Sequence, residues 1–207
     1  MNSKNIWGTI CECGNEVYNF YDDHPWQDEL IIKEVRCNKC NKLHKIDNDI
    51  ASDFYNKKIF NCFSNLSGKV LEIGCGGGLI TNYITSLKNV SYVATLDIDE
   101  ESISKISNKH YKVNLNDFDE SIFDIKFDYV ICRDVLMYLN DIDYTFNKLS
   151  KISNKVILLN WYDINHKNCL NKTSPTDILN ILSNYYENLT IDYPFFYKKG
   201  YLIKTKI

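Results

Sequence analysis

Apolar positions in the C-terminal part of the chain follow two alternating spacings. Five short runs rich in aliphatic and aromatic residues have the length of buried strands. They lie at residues 69–73, 91–96, 111–115, 127–132 and 155–161. Between them, apolar residues recur at helical spacing, which predicts helices at residues 78–88, 100–108 and 142–151. Strands that alternate with helices of this length predict a parallel sheet with helices on both faces.

The end of the chain departs from this alternation. A helix is predicted at residues 173–186, where Ser174 and Pro175 form a typical helix start. Residues 189–196 and 201–207 then have strand patterns, and the short turn between them predicts an antiparallel hairpin. Ligands of open parallel sheets bind beyond the carboxyl ends of the strands, so functional residues are expected in the loops that follow them.

Residues 1–46 have a separate pattern. Alternating apolar positions predict two short strands, at residues 17–21 and 30–35, with one cysteine pair before the first strand and another after the second. A hairpin of these strands would bring the two pairs together. A helix is predicted next, at residues 47–66. We therefore expect a small hairpin domain over residues 1–46 and an α/β domain over residues 47–207.

The four cysteines of the hairpin segment, Cys11, Cys13, Cys37 and Cys40, have a spacing suited to zinc. The second pair has the C-x-x-C spacing, whereas the first is a tighter C-x-C, and His44 is an alternative ligand to one cysteine of that first pair. Because a segment this small has no core of its own, a structural zinc ion would supply folding energy. The alternative is four buried or free thiols.

Composition and charge set limits on the class of protein. The chain has 207 residues, 44% of them hydrophobic, and a net charge of −3, which suits one sizeable domain with a small appendage. The acidic balance does not favour a large nucleic-acid footprint. No apolar run approaches the roughly 18 residues of a membrane span, and no signal core follows the N-terminus, so a cytoplasmic protein without a membrane partner is expected.

The loop after the first predicted strand of the sheet is rich in glycine. Gly74, Gly76 and Gly78 are spaced two apart, and Glu72 precedes the first of them by two residues. A strand, a glycine turn and a helix start bring backbone N–H groups close to a ligand. The dinucleotide fingerprint G-x-G-x-x-G would need a third glycine where the chain has Leu79. A ligand other than a nicotinamide dinucleotide is therefore expected.

This loop resembles the first motif of the class I S-adenosylmethionine-dependent methyltransferases, in which an acidic residue and one further residue precede G-x-G-x-G. Residues 129–139 also resemble the family's fourth-strand motif, in a form close to that of the chemotaxis-receptor methyltransferases. The resemblance covers about residues 66–207. It implies a Rossmann-like, doubly wound α/β sheet of strand order 3-2-1-4-5-7-6, in which strand 7 is antiparallel.

The resemblance also implies S-adenosylmethionine as the cofactor and indicates its contacts. Asp97, at the end of the second strand, would accept both ribose hydroxyls, as an acidic residue does in dinucleotide sites. Asn114 or Asp117 would accept from the adenine amino group. The cofactor-binding residues expected in this way are Glu72, Gly74, Cys75, Gly76, Asp97, Ile98, Asn114, Leu115, Asp117, Cys132 and Arg133.

The expected reaction is transfer of a methyl group to an oxygen or nitrogen atom of a small or medium acceptor. Positioning can supply most of the catalysis, and a general base is needed only if the acceptor loses a proton. The candidates for such a base are His110, Tyr138 and His166. Two alternatives stay open: a zinc-containing RNA methyltransferase of the ribosomal RNA guanine type, and a non-catalytic module that binds the cofactor or a partner protein.

Overall fold

Two antiparallel hairpins and a helix make up the N-terminal unit, Met1–Cys62, of the computed structural model. The structure describes residues 5–21, 30–100, 109–161, 170–194 and 200–206. The elements of this unit are the first hairpin, β1 (Asn5–Ile10) with β2 (Glu16–Tyr21), the second hairpin, β3 (Lys33–Arg36) with β4 (Leu43–Ile46), and helix α1 (Asn48–Phe63). The Asp47 carboxylate caps α1 by accepting a hydrogen bond from the Ile50 N–H at 2.9 Å.

The N-terminal strands pair differently from the prediction. The sequence predicts one hairpin of residues 17–21 and 30–35, but β2 pairs with β1 and β3 pairs with β4. The turns explain the difference, because Gly14 and Asn41 adopt left-handed backbones, with φ of +79° and +63°, and close each hairpin locally. Each cysteine pair therefore occupies the turn of its own hairpin.

A seven-stranded sheet organises the second unit, Phe63–Ile207. Its strands are β5 (Gly68–Ile73), β6 (Val90–Asp97), β7 (Lys109–Lys112), β8 (Tyr129–Arg133), β9 (Val156–Trp161), β10 (Leu189–Asp192) and β11 (Gly200–Thr205). The α-helices in the described part of this unit are α2 (Leu79–Thr85), α3 (Ile142–Ser150) and α4 (Pro175–Leu182). None of the described helices has both the length and the apolar composition needed to cross a bilayer.

The strand order confirms the predicted fold class. The order is β10-β11-β9-β8-β5-β6-β7, in which β5 to β9 are parallel and β11 is antiparallel to both of its neighbours. Counted from β5 as strand 1, this is the expected order 3-2-1-4-5-7-6 with strand 7 reversed. β5 lies in the interior of the sheet, between β8 and β6, and Val70, Leu71 and Ile73 are fully buried there. The loop after β5 thus starts from a strand that is paired on both sides.

Several predicted boundaries differ from the observed ones. The predicted third strand, residues 111–115, is displaced, because β7 ends at Lys112 and Leu115 begins a 3₁₀ turn. The Asn114 side chain accepts a hydrogen bond from the Asn116 N–H at 3.0 Å, and this local bond competes with strand pairing. The helix predicted at residues 173–186 is shorter, at Pro175–Leu182. Residues 101–108 of another predicted helix lie outside the described residues.

Candidate active site and cysteine cluster

The turn between β5 and α2 is a glycine loop that requires glycine for two different reasons. Gly74 and Gly76 both have left-handed backbones, with φ of +66° and +47°. A Cβ atom at Gly74 would lie 2.2 Å from Cγ2 of Val135, whereas one at Gly76 would meet nothing within 4 Å. Gly74 is therefore fixed by packing as well as by its backbone. Gly76 faces open space, where a ligand can approach the backbone.

Asp97, the last residue of β6, connects the glycine loop to the loop that follows β6. Its Oδ2 accepts a hydrogen bond from the Gly76 N–H at 2.9 Å, and its Oδ1 accepts one from the Asp99 N–H at 3.0 Å. A carboxylate has about four lone-pair sites, so each oxygen keeps the capacity to accept one further hydrogen bond. The side chain is thus oriented by the backbone and can still accept from two hydroxyl groups.

A cavity of about 450 Å³ opens at the carboxyl ends of the parallel strands, where the glycine loop and Asp97 meet. Cavities of roughly 300–1,000 Å³ are typical of small-molecule and cofactor sites. The lining residues come from the loops after β5, β6, β7 and β8, and are Gly74, Gly76, Leu96, Asp97, Ile98, Val113, Asn114, Leu115, Asn116, Arg133, Asp134, Val135, Tyr138 and Leu139. The position of the cavity agrees with the rule for open α/β sheets.

The charged groups of the lining are two carboxylates and one guanidinium group. Asp97 lies after β6, whereas Arg133 and Asp134 lie at the end of β8 and form an ion pair, with Nε and Oδ2 3.3 Å apart. Asp134 has a left-handed backbone, with φ of +59°, and its N–H donates to the carbonyl of Leu159 at 3.0 Å. A largely apolar cavity with charges of both signs suits a ligand that itself carries both signs.

Glu72 lies beneath the glycine loop and outside the cavity lining. It is only 2% exposed, and its Oε2 accepts a hydrogen bond from the Thr81 hydroxyl of α2 at 2.5 Å. Burial is the main cause that raises the pKa of this carboxyl to about 8, and the nearby charge of Asp97 also raises it. The hydrogen bond from Thr81 lowers the pKa but is outweighed. The visible role of Glu72 is to connect β5 with α2.

This raised pKa predicts a pH-dependent stability. Between the ordinary value of 4.5 and the folded value of about 8, the folded protein holds a proton on Glu72 that the unfolded chain has lost. The stabilisation is therefore complete below the unfolded pKa and is lost as pH rises through the folded pKa. Glu72→Gln keeps an oxygen acceptor for Thr81 and should lack this part of the pH dependence. Urea unfolding of both proteins at about pH 5, 7 and 9 measures it, and parallel stability profiles would exclude Glu72 as the cause.

The structure brings seven of the eleven expected cofactor-binding residues to the cavity. They are Gly74, Gly76, Asp97, Ile98, Asn114, Leu115 and Arg133. The other four lie outside the lining: Glu72 as described, Cys75 and Cys132 as buried thiols, and Asp117 as an exposed side chain that accepts from the Asn114 amide at 3.3 Å. Burial is the main reason that the pKa of the Cys75 thiol rises to about 12 and that of Cys132 also rises.

The three candidates for a general base have different positions. Tyr138 lines the cavity and is 50% exposed, in a 3₁₀ turn after β8. His110 is an exposed residue of β7, the edge strand of the sheet, and is not part of the cavity lining. His166 lies outside the described residues. Tyr138 is thus the candidate that the structure brings to the site.

Other lining residues were not predicted as contacts. Asn116 and Asp134 are the polar ones, and Leu96, Val113, Val135 and Leu139 are apolar. Each lies at the carboxyl end of a parallel strand or in the loop that follows it, which is the general position of ligand contacts in such sheets. That position is the signal in the sequence for all six. No pattern in the sequence indicates which side chains of these loops face the cavity.

The four predicted metal ligands form a cluster in the N-terminal unit. The Sγ atoms of Cys11, Cys13, Cys37 and Cys40 all lie within 4.8 Å of one another. Sγ of Cys11 is 3.4 Å from that of Cys40, and Sγ of Cys13 is 3.7 Å from that of Cys37. Thiolates bound to zinc at about 2.3 Å in a tetrahedron lie about 3.8 Å apart. The donor set therefore fits a structural zinc ion.

The thiols of the cluster differ in their tendency to ionise. Hydrogen bonds from the Cys40 and Lys39 N–H groups lower the pKa of the Cys37 thiol to about 6 against the effect of burial. At Cys11 a hydrogen bond from the Cys13 N–H has the same effect, but burial and the neighbouring thiols outweigh it and the pKa is raised. Close thiols thus resist joint ionisation unless a cation lies between them. Among the described residues the cluster contains cysteines alone, and His44 is not part of it.

Comparison with known proteins gives a family model and curated relatives. Residues 71–154 match a family model described as a methyltransferase domain. Two similar curated proteins are ubiquinone biosynthesis O-methyltransferases of Rickettsia bellii, from strains OSU 85-389 and RML369-C, each 27% identical to this chain over 150 residues. Each match covers 70% of this chain and 59% of the relative, so the chain spans about three-fifths of the length of these relatives.

Solved structures with the same fold include an N-methyltransferase. NodS from Bradyrhizobium japonicum WM9 superposes with a TM-score of 0.56 at 15% identity, over 74% of this chain and 94% of that chain. The same enzyme in complex with S-adenosyl-L-homocysteine has a TM-score of 0.54 at 14% identity, over 74% and 85% of the two chains. At these identities the likeness concerns the fold.

Proposed function

Because this chain contains a class I S-adenosylmethionine-dependent methyltransferase domain, we propose that it transfers the methyl group of S-adenosylmethionine to an oxygen or nitrogen atom of a small or medium acceptor. The observation that carries the proposal is the cavity at which the glycine loop meets the Asp97 carboxylate. The curated relatives are named as O-methyltransferases and NodS as an N-methyltransferase, which supports both kinds of acceptor atom.

The residues of the cavity are assigned to the parts of the cofactor by their chemistry. Asp97 accepts hydrogen bonds from the two ribose hydroxyls, and the apolar side chains of Ile98 and Leu115 pack against the adenine ring. The loop that starts at Gly74 and the end of β8 at Arg133 hold the amino-acid part, whose carboxylate and ammonium groups need charges of opposite sign. Glu72, Cys75, Asp117 and Cys132, which lie outside the lining, stay predictions as contact residues.

The contribution of the chain to the reaction is positioning. S-adenosylmethionine supplies a methyl group that is activated by its bond to a positively charged sulfur atom. In the displacement the acceptor's lone pair forms the new bond to carbon, the carbon–sulfur bond breaks, and its electron pair stays on sulfur. The cavity walls hold the donor in line with the acceptor, which is the main source of rate. Tyr138 is the candidate to take a proton from an acceptor hydroxyl or amine.

The Asp97→Ala variant should bind S-adenosylhomocysteine at least about tenfold more weakly, since hydrogen bonds to a charged group contribute roughly 1.5–3 kcal/mol. Asp99→Ala is the matched control, because it removes the same charge two residues away and leaves its own N–H to orient Asp97. Calorimetry of the wild type and both variants measures the dissociation constants. Equal losses in the two variants would show a general charge effect and no specific contact of Asp97.

Incubation with S-adenosylmethionine and a metabolite extract tests the transfer itself. Formation of S-adenosylhomocysteine that depends on the extract is the expected result, and mass spectrometry of the extract then gives the acceptor. Binding without this product would instead support the non-catalytic module. The RNA methyltransferase alternative predicts an RNA mobility shift that weakens as salt concentration rises.

We also propose that Cys11, Cys13, Cys37 and Cys40 bind a structural zinc ion, so that residues 1–46 form a zinc hairpin domain and residues 47–207 the cofactor-binding domain. The distances among the four sulfur atoms support this proposal. The role of His44 as a replacement ligand, the small-molecule acceptor and the cytoplasmic location stay predictions. Metal analysis of the purified protein tests whether zinc is bound.

A further inference from the structure

We propose that Asn116 is a positioning residue that holds two loops of the cofactor cavity's wall together, an inference that rests on the proposed function. Asn116 lies in the loop after β7, and both the nitrogen and the oxygen of its side-chain amide form hydrogen bonds with the loop after β8. Its Nδ2 donates to the carbonyl of Tyr138 at 3.3 Å, and its Oδ1 accepts from the N–H of Asn140 at 2.7 Å. One side chain thus joins two loops that are more than twenty residues apart in sequence.

These two loops supply adjoining parts of the cavity wall. Leu115 and Asn116 belong to the loop after β7, and Tyr138 and Leu139 belong to the loop after β8, and all four line the cavity. The backbone of Asn116 is also fixed within its own loop, because its N–H donates a hydrogen bond to Oδ1 of Asn114 at 3.0 Å. The amide therefore lies between one bond within its own loop and two bonds to the loop after β8, and the relative position of the two loops depends on it.

The chemistry at this position calls for a primary amide. Asparagine has one acceptor oxygen and an NH₂ donor on a short side chain, so it can satisfy a carbonyl and an N–H together. Aspartate has the same shape but no donor, and it would place a charge against the carbonyl of Tyr138. Alanine has neither group. The two variants thus remove one bond or both from the connection.

Other bonds hold the loop after β7 without reaching the cavity. The Thr145 hydroxyl of α3 donates to the carbonyl of Leu115 at 3.4 Å, and the Tyr144 hydroxyl donates to that of Phe118 at 3.4 Å. Neither hydroxyl-bearing residue lines the cavity. Removing the Asn116 amide should therefore leave the loop attached to α3 and loosen it at the cavity. The effect should fall on ligand affinity more than on folding.

Calorimetry with S-adenosylhomocysteine and with adenosine, together with urea unfolding, tests this role in the whole 207-residue chain. Asn116→Ala should weaken the binding of both ligands about tenfold, and Asn116→Asp about threefold, with urea midpoints close to that of the wild type. Asp119→Ala is the matched control. It removes a side-chain cap of the same kind, the bond from the Ser121 N–H at 3.0 Å, from a residue outside the cavity lining. This control should lose stability and keep its affinity.

Each outcome decides the matter. Wild-type affinity in both Asn116 variants overturns the inference, and so does a loss of affinity that only matches a loss of stability, as the control would show. If Asn116→Ala fails to fold, Asn116→Asp decides, because it keeps the shape and the bond from Asn140. A wild-type protein that binds neither ligand refutes the proposed function, and the role of Asn116 falls with it.

Discussion

Replacing Gly74 by alanine is expected to lower the free energy of unfolding of the sheet-containing unit by about 2–5 kcal/mol. Two effects add. A left-handed backbone, with φ of +66°, strains any residue that has a Cβ atom, and this Cβ would lie 2.2 Å from Cγ2 of Val135. Gly76→Ala is the matched control, because it has the same backbone strain but open space around the new atom. It should lose only about 1–2 kcal/mol.

A rescue experiment separates the clash from the strain. Val135→Ala removes the clashing methyl group, while the Cβ of residue 135 lies at 3.4 Å, close to ordinary contact. In that background the effect of Gly74→Ala should fall to that of Gly76→Ala. Urea unfolding of the single and double variants gives the coupling free energy. A loss at Gly74 that is equal with and without Val135→Ala would show that packing does not fix this glycine.

Removing zinc is expected to unfold the two N-terminal hairpins. One apolar cluster in the described part of this unit consists of Trp7, Val17, Val35, Ile46 and Ala51 with Cys11 and Cys37, so two of its seven buried members are proposed ligands. In zinc-finger peptides, structural zinc contributes an apparent binding free energy of about 10–16 kcal/mol to folding. A core of this size cannot replace that contribution. Chelation should therefore bring fast hydrogen exchange to residues 5–21 and 30–46, measured by mass spectrometry.

Cysteine variants give the control for this experiment. Cys37→Ser should lose the metal and show the same fast exchange without chelator. Cys62→Ser changes a half-buried cysteine outside the cluster and should keep one zinc ion per chain. Full protection of both hairpins in a metal-free preparation would contradict the proposal. Equal zinc content in the two variants would place the metal elsewhere.

The sheet was predictable from the sequence because its signals are redundant. The aliphatic runs indicate a parallel sheet and the terminal pattern indicates an antiparallel hairpin, while the resemblance carried by the glycine loop implies the strand order that the structure has. The third strand was displaced because Asn114 directs the backbone into a capped 3₁₀ turn at Leu115, a local choice that an apolar pattern does not reveal. The N-terminal pairing was wrong because left-handed Asn41 closes a turn where a strand end was expected.

The site was predictable to the level of its loops. Asp97 and Gly76 have positions fixed by the ends of β6 and β5, and their hydrogen bond follows from neighbouring strands. Glu72 has the spacing of the motif, but its side chain turns inward to Thr81, since alternate residues of a strand face opposite sides of a sheet. Asn116 was missed because its partners are backbone groups of a distant loop, and such partners leave no pattern in the sequence.

Calorimetric titration of the purified wild-type protein with S-adenosylmethionine and S-adenosylhomocysteine tests the central claim most directly. Saturable binding of both ligands at one site per chain is the predicted result, with competition between them. A folded protein that binds neither ligand, or that binds a pyrophosphate-containing dinucleotide in their place, would contradict the assignment of the cavity.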